Sequence, residues 1–415
     1  MIKLKNILTA KKKFDKNIVK HTPLEKNFSL SKKYWANIFL KREDLQIVRS
    51  YKLRWAFNAI NSLSEEEKSK WVVCASAWNH AQWVAIVSKW VWIKAYIFMP
   101  KTTPSQQVRK TKKFWWENVE VILFWDSFDE AFQESQKFCE EKWATFVHPF
   151  DDLKVIEWQW TIWLEILEED FWNEKIDYVF LPIWWWWLAS WVSSVFKELS
   201  PETKIIWVES ENSASMKKSI KEWKVSTLEK IDTFCDWVAV KTPWKNTFKI
   251  CQKNLDEFME VEDWKVAWTL LWLLDDQWII TEPSWSMSIT ALDYKKDEIK
   301  WKNVVCVISW WNFDFARLEK VEDKSQKFLG LKKYFLVNFP QRPWALKDFL
   351  NFLWEEDDIV FFEYIKKKNK EQWPAMIWIE SLHKENFAKI EKNLRDAKFS
   401  FDDITNNEFY SDFLI

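Results

Sequence analysis

Short apolar runs bounded by polar or turn-forming residues recur along the first three-quarters of the chain. Runs of four to eight apolar residues are typical of strands that are buried on both faces of a sheet. Helical patterns separate them, which favours a largely parallel sheet covered by helices. The predicted strands are 72–75, 93–99, 119–123, 178–183, 205–209, 237–240 and 304–308, with a helix from about Ala81.

The pattern changes beyond residue 320. A charged stretch, 319–327, interrupts the apolar runs and is typical of a linker. The elements that follow have the order β-α-β-β-α, which suggests a small ferredoxin-like α+β sandwich. They are strand 334–339, helix 345–353, strands 359–365 and 375–380, and helix 385–397. We therefore expect a region 1–320 made of two α/β subdomains, a linker 321–329 and a domain 330–415.

Length and charge exclude several classes of protein. A chain of 415 residues is too long for one ordinary core. A net charge of −1 gives no basic surface for nucleic acid, so no such partner is expected. The five cysteines never form a CxxC pair and are odd in number, which indicates reduced thiols in the cytoplasm. The four histidines lack the spacing of a metal site, so no metal is expected.

One segment could be mistaken for a membrane span. Residues 178–196 contain no charge, but they include Pro182, three serines and four consecutive tryptophans. We interpret this segment as a strand, a loop and an amphipathic helix. The N-terminus is basic but lacks an apolar core, so no signal peptide is expected.

The tryptophan and glycine contents are both abnormal. The chain has 36 Trp and 1 Gly, whereas ordinary usage of about 7% Gly would give roughly 29 glycines. The tryptophans occur where glycine is normally needed, as in Trp184-Trp185-Trp186-Trp187, Trp310-Trp311 and the turn-like Arg342-Pro343-Trp344. Only glycine allows positive φ or close backbone approach there without steric cost.

We therefore hypothesise that most of these tryptophans stand for glycines. UGA is one base from the Trp codon UGG and from the Gly codon GGA, and different variant codes read UGA as Trp or as Gly. A gene that uses UGA for Gly, translated with a table that reads it as Trp, would give this pattern. The alternative is a protein that really is rich in tryptophan. UGG codons at 184–187 would exclude the recoding.

The first chemical motif lies near the N-terminus, in Leu40-Lys41-Arg42-Glu43-Asp44-Leu45 and Ser50-Tyr51-Lys52-Leu53-Arg54-Trp55-Ala56. It resembles the cofactor-lysine segment of the threonine and serine dehydratases, which are pyridoxal 5'-phosphate (PLP) enzymes of fold type II, like the β subunit of tryptophan synthase. Their pattern, Ser-aromatic-Lys-x-Arg-Gly-Ala, is matched if Trp55 is Gly. The resemblance implies that Lys52 binds PLP as a Schiff base and is the catalytic residue. Without its flanks, Lys52 would be interpreted as a surface lysine.

A second motif follows the strand 72–75 and opens a helix. Ser76-Ala77-Trp78-Asn79-His80 resembles the family's Ser-x-Gly-Asn-His loop. Backbone N–H groups at a helix N-terminus can hold a substrate carboxylate. The resemblance implies that these five residues bind substrate and that Asn79 also contacts the PLP ring hydroxyl. The alternative is an N-capping Asn with a buried His.

Two further motifs also follow predicted strands. Trp184-Trp185-Trp186-Trp187-Leu188 resembles the family's Gly-Gly-Gly-Gly-Leu phosphate loop when it is read with glycine. Taken literally, the four indoles would form a hydrophobic patch or a membrane anchor. Ser309-Trp310-Trp311-Asn312 resembles Ser-Gly-Gly-Asn, whose serine meets the pyridine nitrogen of PLP and favours β-elimination. In isolation, Ser309 would be interpreted as a capping serine.

The C-terminal region narrows the resemblance. Phe339-Pro340-Gln341-Arg342-Pro343-Trp344-Ala345-Leu346 is similar to the Phe-Pro-Glu/Gln-Arg-Pro-Gly-Ala-Leu pattern of the ACT-like regulatory domain in biosynthetic threonine dehydratases. The region is long enough for one such domain. The resemblance implies isoleucine as effector, opposed by valine, and a homotetramer. An oligomerisation module without a ligand is the alternative.

Together these motifs imply a lyase that converts L-threonine into 2-oxobutanoate and ammonia, the first step of isoleucine biosynthesis. Two other classes remain open. One is another fold-type-II enzyme, such as a catabolic threonine/serine dehydratase or a serine racemase. The other is a non-catalytic chain, which follows if the tryptophans are real.

Overall fold

The computed structural model describes residues 19–51, 53–61, 63–76, 79–113, 118–124, 126–147, 161–169, 175–182, 196, 198–236, 238–243, 248–249, 252–253, 256–309, 317–365 and 371–407. The chain divides into two compact units, and each of them is discontinuous in sequence. The first unit comprises Met1–Glu262 and Gln277–Phe313, and the second comprises Asp263–Asp276 and Asp314–Ile415.

The strands are numbered along the chain. Within the described ranges they are β1 Leu24–Lys26, β2 Asn37–Arg42, β3 Val72–Ala75, β4 Ala95–Met99, β5 Val119–Leu123, β6 Thr145–Phe146, β7 Tyr178–Pro182, β8 Lys204–Ser210, β9 Glu257–Val261, β10 Asn303–Ile308, β11 Lys332–Pro340, β12 Asp357–Tyr364, β13 Gln372–Ser381 and β14 Ser400–Asp403.

The helices are numbered in the same way. They are α1 Phe28–Tyr34, α2 Leu53–Asn61, α3 Glu65–Ser69, α4 Asn79–Trp90, α5 Ser105–Lys113, α6 Phe128–Lys142, α7 Thr161–Glu168, α8 Ser215–Lys221, α9 Asp263–Gln277, α10 Pro283–Thr290, α11 Leu318–Leu329, α12 Ala345–Leu350 and α13 Glu385–Asp396. Two of them begin with a capping box, in which Ser64 and Ser127 exchange hydrogen bonds with the residue three positions on.

The first unit contains two sheets. The larger has six strands in the order β1-β2-β10-β7-β8-β9, all parallel except for the edge strand β1. The smaller has the order β5-β4-β3-β6 and is entirely parallel. The central strands β3, β4, β7 and β10 are buried at every position. This arrangement confirms the predicted α/β class with a parallel sheet, because only strands covered on both faces show such continuous apolar runs.

Most predicted strands lie where the apolar runs indicated. The predictions 72–75 and 119–123 match β3 and β5, and the ends of the others shift by one to three residues. The predicted strand 237–240 is wrong in its described part, since residues 238–240 are turn and coil. The strand at that edge of the large sheet is β9, whose alternating Glu257-Phe258-Met259-Glu260-Val261 is less apolar than a central strand.

The second unit has one antiparallel sheet in the order β12-β13-β11-β14. With α12 and α13 this gives β-α-β-β-α-β, which is the predicted ferredoxin-like arrangement with one additional strand, β14. Its core joins aromatic and aliphatic side chains of the sheet and of both helices, including Phe335, Phe339, Phe349, Phe387 and Ile390.

The charged stretch that led us to expect a linker is helical. Helix α11 buries Val321, Asp323 and Ser325. Asp323 accepts a hydrogen bond from the Tyr334 hydroxyl and pairs with Lys327 at 2.9 Å and Lys332 at 3.1 Å. The charged residues therefore form ion pairs from one face of an amphipathic helix. The density of charge along the sequence did not reveal this helix.

Tryptophans occupy backbone positions that suit glycine. Among the described residues, nine that are not glycine have positive φ, and seven of these are Trp35, Trp92, Trp143, Trp223, Trp278, Trp301 and Trp344. All seven are exposed. The single glycine, Gly330, has φ +71° and ends helix α11, as Trp35 and Trp143 end α1 and α6. A left-handed residue at this point is the usual glycine C-cap.

Buried tryptophans are equally anomalous. Within the described residues, the indole N–H groups of Trp163, Trp207 and Trp285 are buried without a hydrogen-bond partner. An orphaned buried donor costs about 1–3 kcal/mol. The rings of Trp264 and Phe328 lie parallel with centroids 2.9 Å apart, closer than the ~3.5–4.0 Å at which carbon atoms attract each other. The fold leaves no room for an indole at position 264.

In the described residues no helix combines the length and the apolar character that crossing a bilayer requires. Of the segment 178–196, residues 178–182 form β7, while 183–195 lie outside the described residues.

Candidate active site

The carboxyl ends of two neighbouring parallel strands bring Glu43 and Ser309 to one edge of the large sheet. Strand β10 lies between β2 and β7. Ser309 follows β10, Glu43 follows β2, and the segment beginning at residue 183 follows β7. Parallel pairing sets Ile308 beside Arg42 and Cys306 beside Phe180. In open α/β sheets this edge is where ligands bind.

Ser309 contacts the segment that carries the candidate lysine. The backbone N–H of Tyr51 donates a hydrogen bond of 3.3 Å to Ser309 Oγ, although the residues are 258 positions apart. Both residues are fully buried. Thr281 Oγ1 donates to the backbone oxygen of Ser309 at 3.4 Å. Lys52 comes directly after Tyr51 and lies outside the described residues.

The start of helix α2 is anchored on both sides of Lys52. The backbone N–H of Leu53 donates to Ser50 O, and that of Arg54 donates to Tyr51 O at 3.0 Å. The ring of Tyr51 meets that of Trp285 edge to face, with 5.5 Å between centroids. Burial, with a smaller contribution from Glu43, raises the pKa of Tyr51 well above its usual value. Tyr51 is therefore a neutral part of the wall of the site.

The second motif occupies the end of β3 and the start of α4. Ser76 is buried, and its backbone N–H donates to Phe98 O at 3.0 Å. Asn79 is the first residue of α4, and its side chain is outside the described set, as are Ala77 and Trp78. His80 is buried, with its Nε2 atom 3.1 Å from Val147 O. A strand therefore ends just before this motif and a helix begins within it, as the motif predicted.

The predicted phosphate loop cannot be examined in the same way. Trp184, Trp185, Trp186, Trp187 and Leu188 all lie outside the described residues. The structure describes Pro182, the last residue of β7, which sets where the loop begins.

A buried cluster of charges beside α2 was not singled out from the sequence. Arg54 binds Glu43 through Nε at 3.0 Å and Nη2 at 2.7 Å, and binds Glu165 through Nη1 at 2.5 Å and Nη2 at 2.9 Å. Lys41 Nζ lies 2.7 Å from Glu165 Oε2. The side chains of all four residues are at most 1% exposed. Lys41, Glu43 and Arg54 belong to the motif that carries Lys52, which gave them no role of their own. The only signal for Glu165 is a charge within an apolar helix, Ile162-Trp163-Leu164-Glu165-Ile166.

The cluster favours the charged forms of Glu165 and Arg54. Burial acts to raise the pKa of Glu165, but the charges of Arg54 and Lys41 outweigh it and lower the pKa to about 2. Burial acts to lower the pKa of Arg54, but Glu43 and Glu165 raise it further above its usual value. All the described partners of Arg54 therefore favour its charged form.

The described residues suit a PLP site of the kind that the motifs imply. A buried serine hydroxyl stands at a strand end next to the lysine segment, and a helix N-terminus follows the neighbouring sheet's β3. These are the neutral ring partner and the anion-binding element that the cofactor and an amino-acid substrate need.

Family models match nearly the whole chain. Residues 16–309 match the pyridoxal-phosphate-dependent enzyme family, and residues 323–414 match the C-terminal regulatory domain of threonine dehydratase.

Curated relatives match over their full length. The biosynthetic L-threonine dehydratase IlvA of Halalkalibacterium halodurans is 43% identical over 415 residues, which is 100% of this chain and 99% of the relative. The protein of the same name from Bacillus subtilis is 41% identical over 98% of this chain and 96% of its own.

Solved structures agree. The processed form of threonine deaminase isoform 2 from Solanum lycopersicum superposes with a TM-score of 0.69 at 34% identity, covering 78% of this chain and 92% of that chain. Serine racemase from Dictyostelium discoideum gives 0.66 at 28% identity, covering 76% and 99%. The chain belongs to the fold-type-II family of pyridoxal-phosphate-dependent enzymes, and it carries the C-terminal regulatory domain of the threonine dehydratases.

Proposed function

We propose that this protein is a PLP-dependent threonine ammonia-lyase that converts L-threonine into 2-oxobutanoate and ammonia, the first step of isoleucine biosynthesis. The observation that carries this proposal is the hydrogen bond from the Tyr51 N–H to Ser309 Oγ. It joins the lysine segment to the serine that the family uses beside its cofactor. The full-length similarity to biosynthetic threonine dehydratases gives the substrate.

The proposal assigns roles to individual residues. Lys52 would hold the cofactor, and its freed amine would take the α-proton of threonine as general base. The hydroxyl of Ser309, which carries no charge, would contact the pyridine nitrogen of PLP. The segment Ser76, Ala77, Trp78, Asn79 and His80 would bind the substrate carboxylate at the N-terminus of α4, with Asn79 also contacting the cofactor. PLP supplies the electron sink when bound.

The proposed phosphate loop requires glycines. A dianion must be wrapped by backbone N–H groups at hydrogen-bond distance, and indole rings would block that approach. We therefore extend the recoding hypothesis to Trp184–Trp187 and propose that they, with Leu188, form a Gly-Gly-Gly-Gly-Leu loop in the natural protein. The seven tryptophans with positive φ support this proposal. Peptide masses of the natural protein test it, and Trp at all four positions would refute it.

The test of Lys52 is its replacement by alanine. We expect Lys52→Ala to lose both the visible absorbance of bound PLP and threonine turnover, because no other amine is proposed to do either task. The measurements are an absorbance spectrum with saturating PLP and an assay of 2-oxobutanoate. The neighbouring Lys68→Ala, on the exposed helix α3, serves as control and should keep both. Turnover retained by Lys52→Ala would contradict the assignment.

Regulation is the second part of the proposal. Allostery needs a ligand with different affinities for two states. The match of residues 323–414 to the C-terminal regulatory domain of threonine dehydratase supports control by an effector, and we propose isoleucine as inhibitor, opposed by valine, in a homotetramer. Inhibition of threonine turnover by isoleucine would distinguish this function from a catabolic threonine/serine dehydratase or a serine racemase. Sedimentation in the presence and absence of isoleucine tests the assembly.

The cysteines support a cytoplasmic location. Among the described residues, Cys74, Cys139, Cys235 and Cys306 are free thiols and all are buried. Proteins with unpaired thiols and no disulfide framework are typical of reducing compartments.

A further inference from the structure

The cluster of Lys41, Glu43, Arg54 and Glu165 has a function beyond stability. We propose that Arg54, gripped by Glu43 and Glu165, is a positioning residue that holds Lys52 at the site. This proposal rests on the proposed role of Lys52. It concerns the orientation of Lys52, which the sequence motifs do not explain.

The first step is geometric. Arg54 lies two residues after Lys52, in the first turn of α2. Its guanidinium binds one carboxylate from the turn after β2 and another from α7, each through two nitrogen atoms. Paired N–H···O contacts fix the orientation of a guanidinium as well as its distance. The first turn of α2 therefore cannot rotate or slide without breaking these bonds.

The second step is the anchor on the other side. The Tyr51 N–H binds Ser309 Oγ, so Lys52 lies between two residues whose partners come from distant parts of the chain. Glu165 and Ser309 are 111 and 255 residues away from Arg54 by sequence number. On one side of position 52 the chain is therefore tied at Tyr51 to the edge of the large sheet, and on the other side it is tied at Arg54 to α7.

The third step concerns energy. The cluster is neutral overall, with two cations and two anions, and further contacts satisfy it. Thr22 Oγ1 donates to Glu43 at 2.5 Å, Gln46 Nε2 donates to Glu43 at 3.3 Å, and Lys41 Nζ donates to Thr22 O at 2.6 Å. Buried ion pairs are nevertheless poor stabilisers, since apolar residues of similar volume often serve as well. A cluster of this kind gives its side chains a single orientation, and apolar packing does not.

The experiment compares two substitutions in the complete holoenzyme, Arg54→Lys and Arg395→Lys. Arg395 also pairs with a carboxylate, that of Glu391 at 2.9 Å, but it does so on α13 and belongs to none of the site motifs. Lysine keeps the charge and loses the paired geometry. The readouts are kcat and KM for threonine, the pH midpoint of the visible PLP absorbance, and the fraction of Lys52 labelled after borohydride reduction, by peptide mass.

We expect Arg54→Lys to lower kcat by on the order of 10- to 100-fold while KM changes little, because a displacement of about 1 Å at a reacting group costs that much. The pH midpoint should move and the labelled fraction of Lys52 should fall. Arg395→Lys should leave all of these unchanged. A purely structural role would lower the melting temperature of Arg54→Lys and leave its pH midpoint in place, which would overturn the proposal.

A second variant covers the case in which Arg54→Lys does not fold. Thr161 Oγ1 accepts a hydrogen bond of 3.2 Å from Arg54 Nη1. Thr161→Val removes that contact and leaves every ion pair in place, and we expect the same changes at a smaller size. An unchanged pH midpoint and kcat in Thr161→Val would overturn the proposal. If the wild type binds PLP but does not consume threonine, the proposed function fails, and the pH midpoint and the labelling still test Arg54.

Discussion

Glu165 is a carboxylate that stays charged without contact with water. Burial opposes its charge, and Arg54 and Lys41 overcome that effect, so its pKa falls from 4.5 to about 2. A folded-state pKa below the unfolded value means that the ionised group favours the folded state. That contribution is fully present above about pH 4.5 and is lost as the pH falls through about 2.

We expect Glu165→Gln to destabilise the protein at neutral pH by about 3–5 kcal/mol, because it leaves Arg54 and Lys41 short of a counter-charge in a dry site. The difference from wild type should shrink below about pH 4.5, where the wild-type carboxylate begins to lose its advantage. Urea midpoints measured from pH 7 to pH 3 test this.

The control for this variant is Glu169→Gln, one residue past the end of α7. Glu169 is more than a third exposed and lies 3.9 Å from His21. An exposed pair of this kind contributes about 0–1 kcal/mol. A Glu165→Gln deficit of constant size over the whole pH range would contradict the assigned charge state.

From the sequence, individual site residues could be proposed where a motif directly follows a predicted strand. Ser76 and Ser309 stand at strand ends in the structure, where the apolar runs placed them, but only the resemblance of their motifs to a known family singled them out. The charge cluster was beyond sequence reasoning because its members come together over long distances. Glu165 and Lys41 are 124 positions apart and meet only through the fold.

At the scale of elements, the ends of helices show how the tryptophans behave. Trp143 ends α6 with φ 52° and is 78% exposed, so its ring gains little from packing. Left-handed conformation costs a residue with a side chain about 1–2 kcal/mol. Glycine does not bear this cost.

We therefore expect Trp143→Gly to stabilise a protein that carries Trp at this position, by about 1 kcal/mol. Trp354→Gly is the matched control. Trp354 is 53% exposed but is not among the residues with positive φ, and Lys389 lies 4.6 Å from its ring centroid. It should gain nothing. Thermal melts of both variants test the difference, and equal shifts would show that φ is not the cause.

Elements were predictable when they were continuous and apolar. Strand β5 was predicted with its observed ends, whereas β14, with the sequence Ser400-Phe401-Asp402-Asp403, was missed. Its side chains are polar because β14 is an edge strand that is mostly exposed or half-buried. Position along the sheet, which the local sequence does not carry, decided which strands could be recognised.

For the whole molecule, the important fact is that the second unit includes a helix from within the region matched to the catalytic family. Helix α9 lies inside residues 16–309 by sequence but belongs almost entirely to the second unit. Asp263, its first residue, lies 3.7 Å from Lys324 of α11. The domain boundary proposed at residue 320 therefore does not mark a simple cut between two independent pieces.

We expect a chain that ends after Phe313 to be less stable than the full-length protein, because α9 loses the rest of the unit to which it belongs while keeping Val266, Leu270 and Leu273 to bury. Thermal unfolding of the truncated and full-length proteins measures the difference. Removing only residues 408–415, which follow the last described residue, is the control. Equal melting temperatures for the full-length chain and the long truncation would show that α9 does not depend on the second unit.

The discontinuous second unit also has a consequence during protein synthesis. Helix α9 leaves the ribosome before α11, the next helix of the same unit, whose last residue, Leu329, is 52 positions after Gln277. At about 5–20 residues per second, the apolar side chains of α9 wait roughly 3–10 s until that next helix has been made. During this interval the nascent chain exposes an apolar helix. Chaperones that bind short apolar segments would bind the nascent chain first at this helix.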